Sequence, residues 1–380
     1  MPALSRIFKI AVAGAGLSGR RHIELLQASP RTQLCAVIDP TPAAAAFAQG
    51  LGVPHFSSLE ALFAHPANGG DAMPDGVILA TPNHLHVTGA LTCAGHGVPA
   101  IIEKPVADTP ELGRRLAEAL VKNKTPMLVG HHRRYSSALK SAREVMQSGK
   151  LGRIVTVTGS AQFYKPDSYF AQGAWRSLAG GGPILINLIH EMDNLRYLCG
   201  EVASVHAMAS SAIRGFEVED TAAMTLKFAS GALGTFMLSD TAASPLSWEQ
   251  TSGENADYPR YAAQNCYFIA GIKGSMAVPN LRMWTYRSAA DGGNEPGWRT
   301  PFVEETLAVE ELDPLAAQLD HFCDVIAGIS APLVDVADAL QSLLVVEALK
   351  LSIATGKTVD IQASFPGWIG QRQPHTLEKP

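Results

Sequence analysis

The stretch KIAVAGAGLSGRRHIELLQAS, residues 9–29, decides how the rest of the chain reads. It opens with an apolar run of strand length, passes through three glycines and continues with helical spacing. Gly14, Gly16 and Gly19 form G-x-G-x-x-G directly after the strand and at the start of the helix, with Leu17 and Ser18 between them. Glycines let the backbone approach a pyrophosphate, and the first amides of the helix supply donors to it. Alone the pattern is weak, but Asp39 ends the next strand-like run, LCAVIDP (34–40), 20 residues after Gly19. A carboxylate there binds ribose hydroxyls, so the context predicts a dinucleotide site. DPTP, at 39–42, brings no Arg or Lys to hold a 2′-phosphate, which favours NAD over NADP.

Outward from this stretch, further apolar runs recur at 76–83 (GVILATPN), 100–105 (AIIEKP) and 126–132 (PMLVGHH), separated by helical segments. One of these, SSLEALFAH, has Ser57 three residues before Glu60 and is read as a capping box. Continuous apolar strands between helices predict an α/β fold with a doubly wound parallel sheet covered on both faces. Ligands of such sheets sit beyond the carboxyl ends of the strands. That places Thr81, Asn83 and His86 near the nicotinamide half of the cofactor, and Glu103 and Lys104 just beyond another strand end. A lysine beside a bound cationic cofactor is pushed towards the neutral form of a general base.

The chain has 380 residues, enough for two domains, with 47% hydrophobic and 17% charged residues. The net charge of −5 comes without a basic stripe, which argues against nucleic acid or anionic lipid as a partner. Cys35, Cys93, Cys199, Cys266 and Cys323 are scattered and form no Cys-x-x-Cys, which points to reduced thiols and no metal site. The amino-terminal segment lacks a signal layout and its apolar run is too short for a bilayer, so a soluble cytoplasmic protein is expected.

A second stretch, GGGPILINLIHEMDNLRYLCG (180–200), reads as a helix interrupted by Asn187, His190, Glu191 and Asn194. At i, i+3, i+4 and i+7 these form one stripe, which is either a solvated face or the wall of a pocket. Strand-like runs surround it at 152–163, 202–213, 220–228, 231–240, 265–278 and 281–287. Met224, Leu226 and Phe228 alternate there with Thr225 and Lys227, as in a half-buried sheet.

GAGLSG, TPNHLH, EKP, GHHRRYS and GGG…NLIHEMDNLRYL, in this order, resemble the Gfo/Idh/MocA oxidoreductases, which include glucose–fructose oxidoreductase and inositol dehydrogenases. The resemblance runs from about residue 8 to TGKTVDI near 361. It implies an N-terminal Rossmann domain over 1–132, completed by C-terminal helices at about 313–360. It also implies a C-terminal α/β domain over 133–312 with a large, open, mostly antiparallel sheet for substrate binding and oligomerisation. A homodimer or homotetramer through that sheet is implied in the same way. The carry-over places Lys104 at the catalytic lysine position and His190 at the active-site histidine position. The usual pattern has Asp four residues before that histidine; here Ile186 stands there, and Asn187 is the nearest polar side chain.

The expected chemistry is reversible hydride transfer between a nicotinamide and a secondary alcohol carbon of a sugar, polyol, cyclitol or related cyclic diol. Lys104 would act as the base or as the polarising group, His190 would bind the same hydroxyl or pass the proton on, and Asn187 would orient a neighbouring hydroxyl. His131, Arg133, Tyr164, Trp175 and Arg176 are further candidates for substrate contact; HHRRY is otherwise a basic surface turn. Two other readings compete. One is a glycosidase that holds NAD for transient oxidation, and the other is an NAD-binding sensor without turnover. The polar segment 241–264 is either a lid over the site or a surface excursion.

Overall fold

Strand β1 (Phe8–Ala13) runs through the glycine turn into helix α1 (Leu17–Ala28), as the opening stretch predicts. The computed structural model describes residues 6–65, 73–287, 293 and 295–367. These fall into two units, one of residues up to Tyr135 with Pro314–Leu343, the other of Ser136–Asp313 with the residues from Leu344 on.

In the first unit the order continues with β2 (Thr32–Ile38), α2 (Pro42–Leu51), β3 (His55–Phe56), α3 (Leu59–Phe63), β4 (Gly76–Leu79) and α4 (His86–Gly95). Strand β5 (Ala100–Ile102), α5 (Pro110–Asn123) and β6 (Met127–Val129) complete the run. The six strands pair in parallel in the order β3-β2-β1-β4-β5-β6. Every residue of β4, β5 and β6 is buried, which is why these strands read as unbroken apolar runs. The order reverses between β1 and β4, so the glycine turn after β1 and Thr81 after β4 flank the crevice where such sheets bind ligands. Helices α2 and α5 start at Thr41 and Thr109, whose side chains cap them ahead of a proline in the first turn. The cap of α3 is Ser58, which accepts from the Ala61 amide; Ser57 is not the cap, and Glu60 lies two residues after the true one, so the capping box read from Ser57 does not form.

In the second unit α6 (Ser137–Gln147) precedes β7 (Ile154–Gln162), α7 (Asp167–Ala171), a π-helical turn (Ile184–Leu188) and α8 (Ile189–Cys199). Strands β8 (Val202–Ser210), β9 (Thr221–Phe228) and β10 (Leu233–Ser239) follow, then α9 (Trp248–Ser252), β11 (Tyr267–Gly271), β12 (Gly274–Val278), β13 (Arg282–Thr285) and β14 (Val303–Thr306). Helices α10 (Pro314–Ile326) and α11 (Val336–Thr355), strand β15 (Val359–Asp360) and α12 (Ile361–Ser364) close the chain. The unit's nine-stranded sheet runs β14-β13-β12-β11-β7-β10-β9-β8-β15 and is antiparallel except where β10 pairs with β7. Met224, Leu226 and Phe228 are buried as their alternation predicts, while Thr225 and Lys227 are exposed. Strands β14 and β15, at the two edges, have no counterpart in the sequence reading. Among the described residues no helix is long and apolar enough to cross a membrane.

Helix α10 returns to the first unit, where Leu319, Phe322 and Cys323 share a core with Ile10, Val12 and Ile23. Gly76 makes room for it, since a Cβ there would lie 2.8 Å from the Phe322 ring. Helix α11 is continuous across the boundary between Leu343 and Leu344.

Candidate active site

Each glycine of the turn has a different reason to be glycine. Gly14 has φ +95°, and a Cβ there would sit 2.3 Å from the Ala80 carbonyl oxygen at the end of β4. A Cβ on Gly19 would sit 1.8 Å from the carbonyl oxygen of Gly14, so the helix could not lie so close to the turn. Gly16 faces open space, with nothing within 4 Å of a Cβ. It is also the N-cap of α1 without a side-chain cap and without an acidic residue in the first turn. The first amides, of Leu17, Ser18 and Gly19, therefore face a space that fits an anion.

Asp39 fixes this loop from the end of β2. One carboxylate oxygen accepts from the Ala15 amide at 2.9 Å, the other from the Thr41 amide at 2.9 Å and hydroxyl at 2.6 Å. Burial opposes its ionisation, but the bonds from Thr41 and Ala15 outweigh it and hold the carboxyl below its ordinary range. A cavity of about 380 Å³ lies between Asp39, Gly14, Thr81 and Leu85. Thr81 adds a buried hydroxyl oxygen with no hydrogen-bond partner among the described residues. An open anion cradle, a carboxylate and a largely apolar cavity together fit a dinucleotide.

The next two strand ends are tied to each other. His86, 1% exposed, reaches the Pro105 carbonyl with Nδ1 (2.8 Å) and the Thr81 carbonyl with Nε2 (2.9 Å). Burial pushes its imidazolium pKa down, against the two carbonyl bonds. His86 thus brackets the loops after β4 and β5 with both ring nitrogens committed, while Asn83 opens a short 3-10 turn beside it. Glu103, expected to face the cofactor, also turns inward. Its Oε1 lies 2.7 Å from His22 Nε2 of α1, and its Oε2 accepts from the Lys104 amide at 3.2 Å. Gly130 allows this packing, since a Cβ there would lie 3.2 Å from Glu103. Burial raises the Glu103 pKa, but the His22 bond and charge, and then Lys104, bring it down to about 2. Lys104 itself is half-buried just beyond this anchored carboxylate.

A carboxyl with a depressed native pKa stabilises the fold above its unfolded value near 4.5, and that contribution is lost as pH falls towards about 2. The Glu103→Gln variant should therefore be less stable by about 2–3 kcal/mol at pH 7. Urea midpoints of the two proteins should converge as the pH is lowered from 5 to 3; a gap independent of pH would refute this account.

His131 and Arg133 do not form a basic surface turn, for both are buried, at 1% and 3% exposed. The 3-10 turn His132–Tyr135 holds Arg134 3.5 Å from Asp338 of α11.

In the second unit Tyr164 and Trp175 are exposed, and Arg176 stacks 3.9 Å over the Tyr169 ring. The polar stripe of 187–194 does not stay together, and this corrects the reading of it as one face. The π-helical turn adds a residue to the helical ladder, so Asn187 is out of phase with the polar residues of α8. Glu191 and Asn194 turn to the sheet, where the Tyr267 hydroxyl donates to Glu191 and accepts from Asn194 Nδ2 at 2.9 Å. A solvated face is excluded, since Glu191 and Asn194 are at most 1% exposed and His190 is 7% exposed. Asn187 instead accepts from Lys165 Nζ at 2.6 Å. Lys165 and Arg214 share Asp240, with Lys165 Nζ 3.8 Å and Arg214 Nε 3.0 Å from its oxygens. Burial raises the Asp240 carboxyl pKa, against the two cations.

Sequence reasoning missed Lys165. Its signal was the one used for Lys104, a lysine just past a strand end. The segment 241–264 is in part packed structure, because Trp248 of α9 is buried with its ring 5.8 Å from that of Tyr267.

Residues 8–131 match the family model described as an oxidoreductase family with an NAD-binding Rossmann fold, and residues 139–277 match the GFO/IDH/MocA C-terminal domain. The chain is 28% identical over 204 residues to the rhizopine catabolism protein MocA of Rhizobium meliloti, covering 54% of this chain and 61% of that protein. It is 24% identical over 358 residues to inositol 2-dehydrogenase of Rhizobium meliloti (strain 1021), covering 93% and 99%. The crystal structure of the WlbA dehydrogenase of Bordetella pertussis, in complex with NADH and UDP-GlcNAcA, superposes with a TM-score of 0.72 at 26% identity, covering 93% of this chain and 99% of that one.

Proposed function

Because the chain belongs to the GFO/IDH/MocA oxidoreductases and carries their NAD-binding Rossmann fold, we propose that it oxidises a secondary alcohol carbon of a sugar, polyol, cyclitol or related cyclic diol, reversibly. NAD would supply the hydride acceptor. The observation that carries the reading is the junction of the first unit, where the turn that fits a dinucleotide and the Lys104 backbone are tied together by the His22–Glu103 contact at 2.7 Å. The names of the relatives, inositol 2-dehydrogenase and a dehydrogenase crystallised with a nucleotide sugar, support a carbohydrate substrate.

In this proposal Lys104 takes the hydroxyl proton as the hydride leaves the carbon. His190 binds the same hydroxyl or passes the proton on, and Asn187 orients a neighbouring group. Gly16 and the first amides of α1 receive the pyrophosphate, and Asp39 the ribose hydroxyls. The test is NADH formation from NAD⁺ with a panel of sugars, inositols, polyols and sugar acids. Absence of turnover in protein that retains bound NAD would replace this reading with transient oxidation or sensing.

Asp39 supports NAD over NADP, because its ionised carboxyl would face a 2′-phosphate with no cation in DPTP to offset it. Asp39→Ser should weaken NAD binding about tenfold, one charge-assisted hydrogen bond's worth, and narrow the preference over NADP. Titration of both nucleotides measures it, and an unchanged ratio would count against the assignment.

The exposed face of the nine-stranded sheet carries Met208, Leu233, Met237 and Phe268 in the open. That supports a homodimer or homotetramer through the sheet, a size that light scattering measures.

A further inference from the structure

His86 opens α4 with its ring between two backbone carbonyls, that of Pro105 2.8 Å from Nδ1 and that of Thr81 2.9 Å from Nε2. Together the two contacts fix the state of the ring. A carbonyl oxygen only accepts, so each nitrogen that meets one must carry a proton. Neutral imidazole has one N–H and one lone pair, so it serves one carbonyl and turns a lone pair on the other. Only the imidazolium satisfies both. At 1% exposure the ring has no bulk water to turn to instead.

The surroundings set the pH at which that proton is held. Burial opposes the charge most, the two carbonyls and then Glu103 favour it, and Lys104 opposes it. The start of α4 also repels a cation. Strands β4 and β5 bring no titratable side chain, and Glu60 of α3 is turned to Thr92. On α5, Glu111, Arg115, Glu118 and Lys122 are exposed, and Arg114 pairs with Glu118. The balance lies below the ordinary histidine value, so the ring is loaded on the acid side and gives its proton up as the pH rises.

Both carbonyls belong to loops that border the dinucleotide site. Thr81 lines the cavity of about 380 Å³ beside Gly14 and Asp39, and Pro105 follows Lys104 directly. We propose that His86 works as a buried imidazolium, a proton-loaded clamp that sets the spacing between the cofactor wall at Thr81 and the loop of Lys104. When the proton leaves, one carbonyl faces a lone pair and the two loops part on that side. A cofactor that needs the closed spacing binds the protonated form more tightly and, by linkage, brings a proton with it. His86 is a positioning residue, acting through two backbone oxygens. Its bearing on Lys104 rests on the function proposed above, whereas its charge does not.

Two measurements on the full chain test this. Nitrogen-15 NMR of histidine-labelled protein loaded with NAD⁺, with His86 assigned through its own backbone resonances, reads the ring directly. The two ring nitrogens should have nearly equal shifts at pH 5 and split widely by pH 8. A single neutral tautomer throughout overturns the proposal. Calorimetric titration with NAD⁺, in buffers of different ionisation enthalpy, reads the proton taken up on binding. Wild type should show that uptake between pH 5 and 8. His86→Gln should lose it, because its amide donates to one carbonyl and meets the other with an oxygen. The two proteins should differ in NAD⁺ affinity by about tenfold or more at pH 5, the worth of one charge-assisted bond, and converge by pH 8. An equal gap at both pH values marks a merely structural ring and overturns the proposal. If His86→Gln fails to fold, the NMR measurement decides alone. A clamp that loads as expected in a protein that oxidises no alcohol of the panel refutes the hydride-transfer reading and leaves the charge on His86 standing.

Discussion

Lys104→Ala should lower kcat about 10³-fold, the middle of the range for a general acid–base group, while NAD binding and thermal stability stay close to wild type. The side chain is half-buried, and the backbone below it is held by Glu103 through the Lys104 amide, which the substitution leaves in place. Lys104→Arg separates two roles. Arginine keeps the positive charge but does not give up its proton in a protein, so it should stay nearly as impaired as alanine if a base is what is missing. The low-pH limb of the wild-type kcat profile, set by protonation of that base, should vanish in Lys104→Ala. Added small primary amines should restore part of the rate. A Lys104→Ala enzyme within about threefold of wild type would exclude Lys104 as the base, since even weak acid–base catalysis contributes about a hundredfold.

The second large effect separates two glycines two residues apart. Gly14→Ala combines φ +95° with a Cβ 2.3 Å from the Ala80 carbonyl oxygen and 2.6 Å from its carbon, all backbone that cannot move aside. The combined backbone strain and overpacking should cost about 2–4 kcal/mol. That lowers Tm by roughly 5–10 °C, and NAD binding should be lost with the distorted turn. Gly16→Ala meets nothing within 4 Å, so its Tm should stay unchanged. Its methyl group fills the space into which a pyrophosphate must come, and NAD affinity should fall by about tenfold or more, the effect of displacing the phosphate from the amides. Differential scanning calorimetry and NAD titration of the two variants read both quantities. A Gly16→Ala protein that binds NAD normally would remove the phosphate from that turn.

The first unit was legible because its strands are buried on both faces and its motif is local, contained within Gly14–Asp39. The sheet of the second unit was legible where one face is buried, as in β9. It was not legible in β14, whose Val303–Thr306 is mostly exposed and carries two glutamates, or in the two-residue β15. The site escaped where it depends on partners far apart in the chain. His22 and Glu103 are 81 residues apart, and Lys165 and Asn187 are 22 apart. Helical periodicity misread 187–194 for a different reason. A π-helical turn changes the angle per residue, and no residue in ILINL advertises it. Ile186 and Asn187 then land where only a folded backbone could put them.

Helix α10 gives the first unit a history in time as well as a shape. Phe322 and Leu319 belong to the core of a unit whose first segment ends at Tyr135 and which resumes only at Pro314. While the ribosome adds residues 136–313, that core has an unfilled socket beside Gly76. At ordinary elongation rates the wait lasts roughly 10–35 s, long compared with the collapse of a small domain. The nascent nucleotide-binding half must spend it incompletely packed, a state that invites chaperones. A fragment cut after Tyr135 stays permanently in that state, so the nucleotide-binding half cannot be borrowed as a separate module without its distant helical segment.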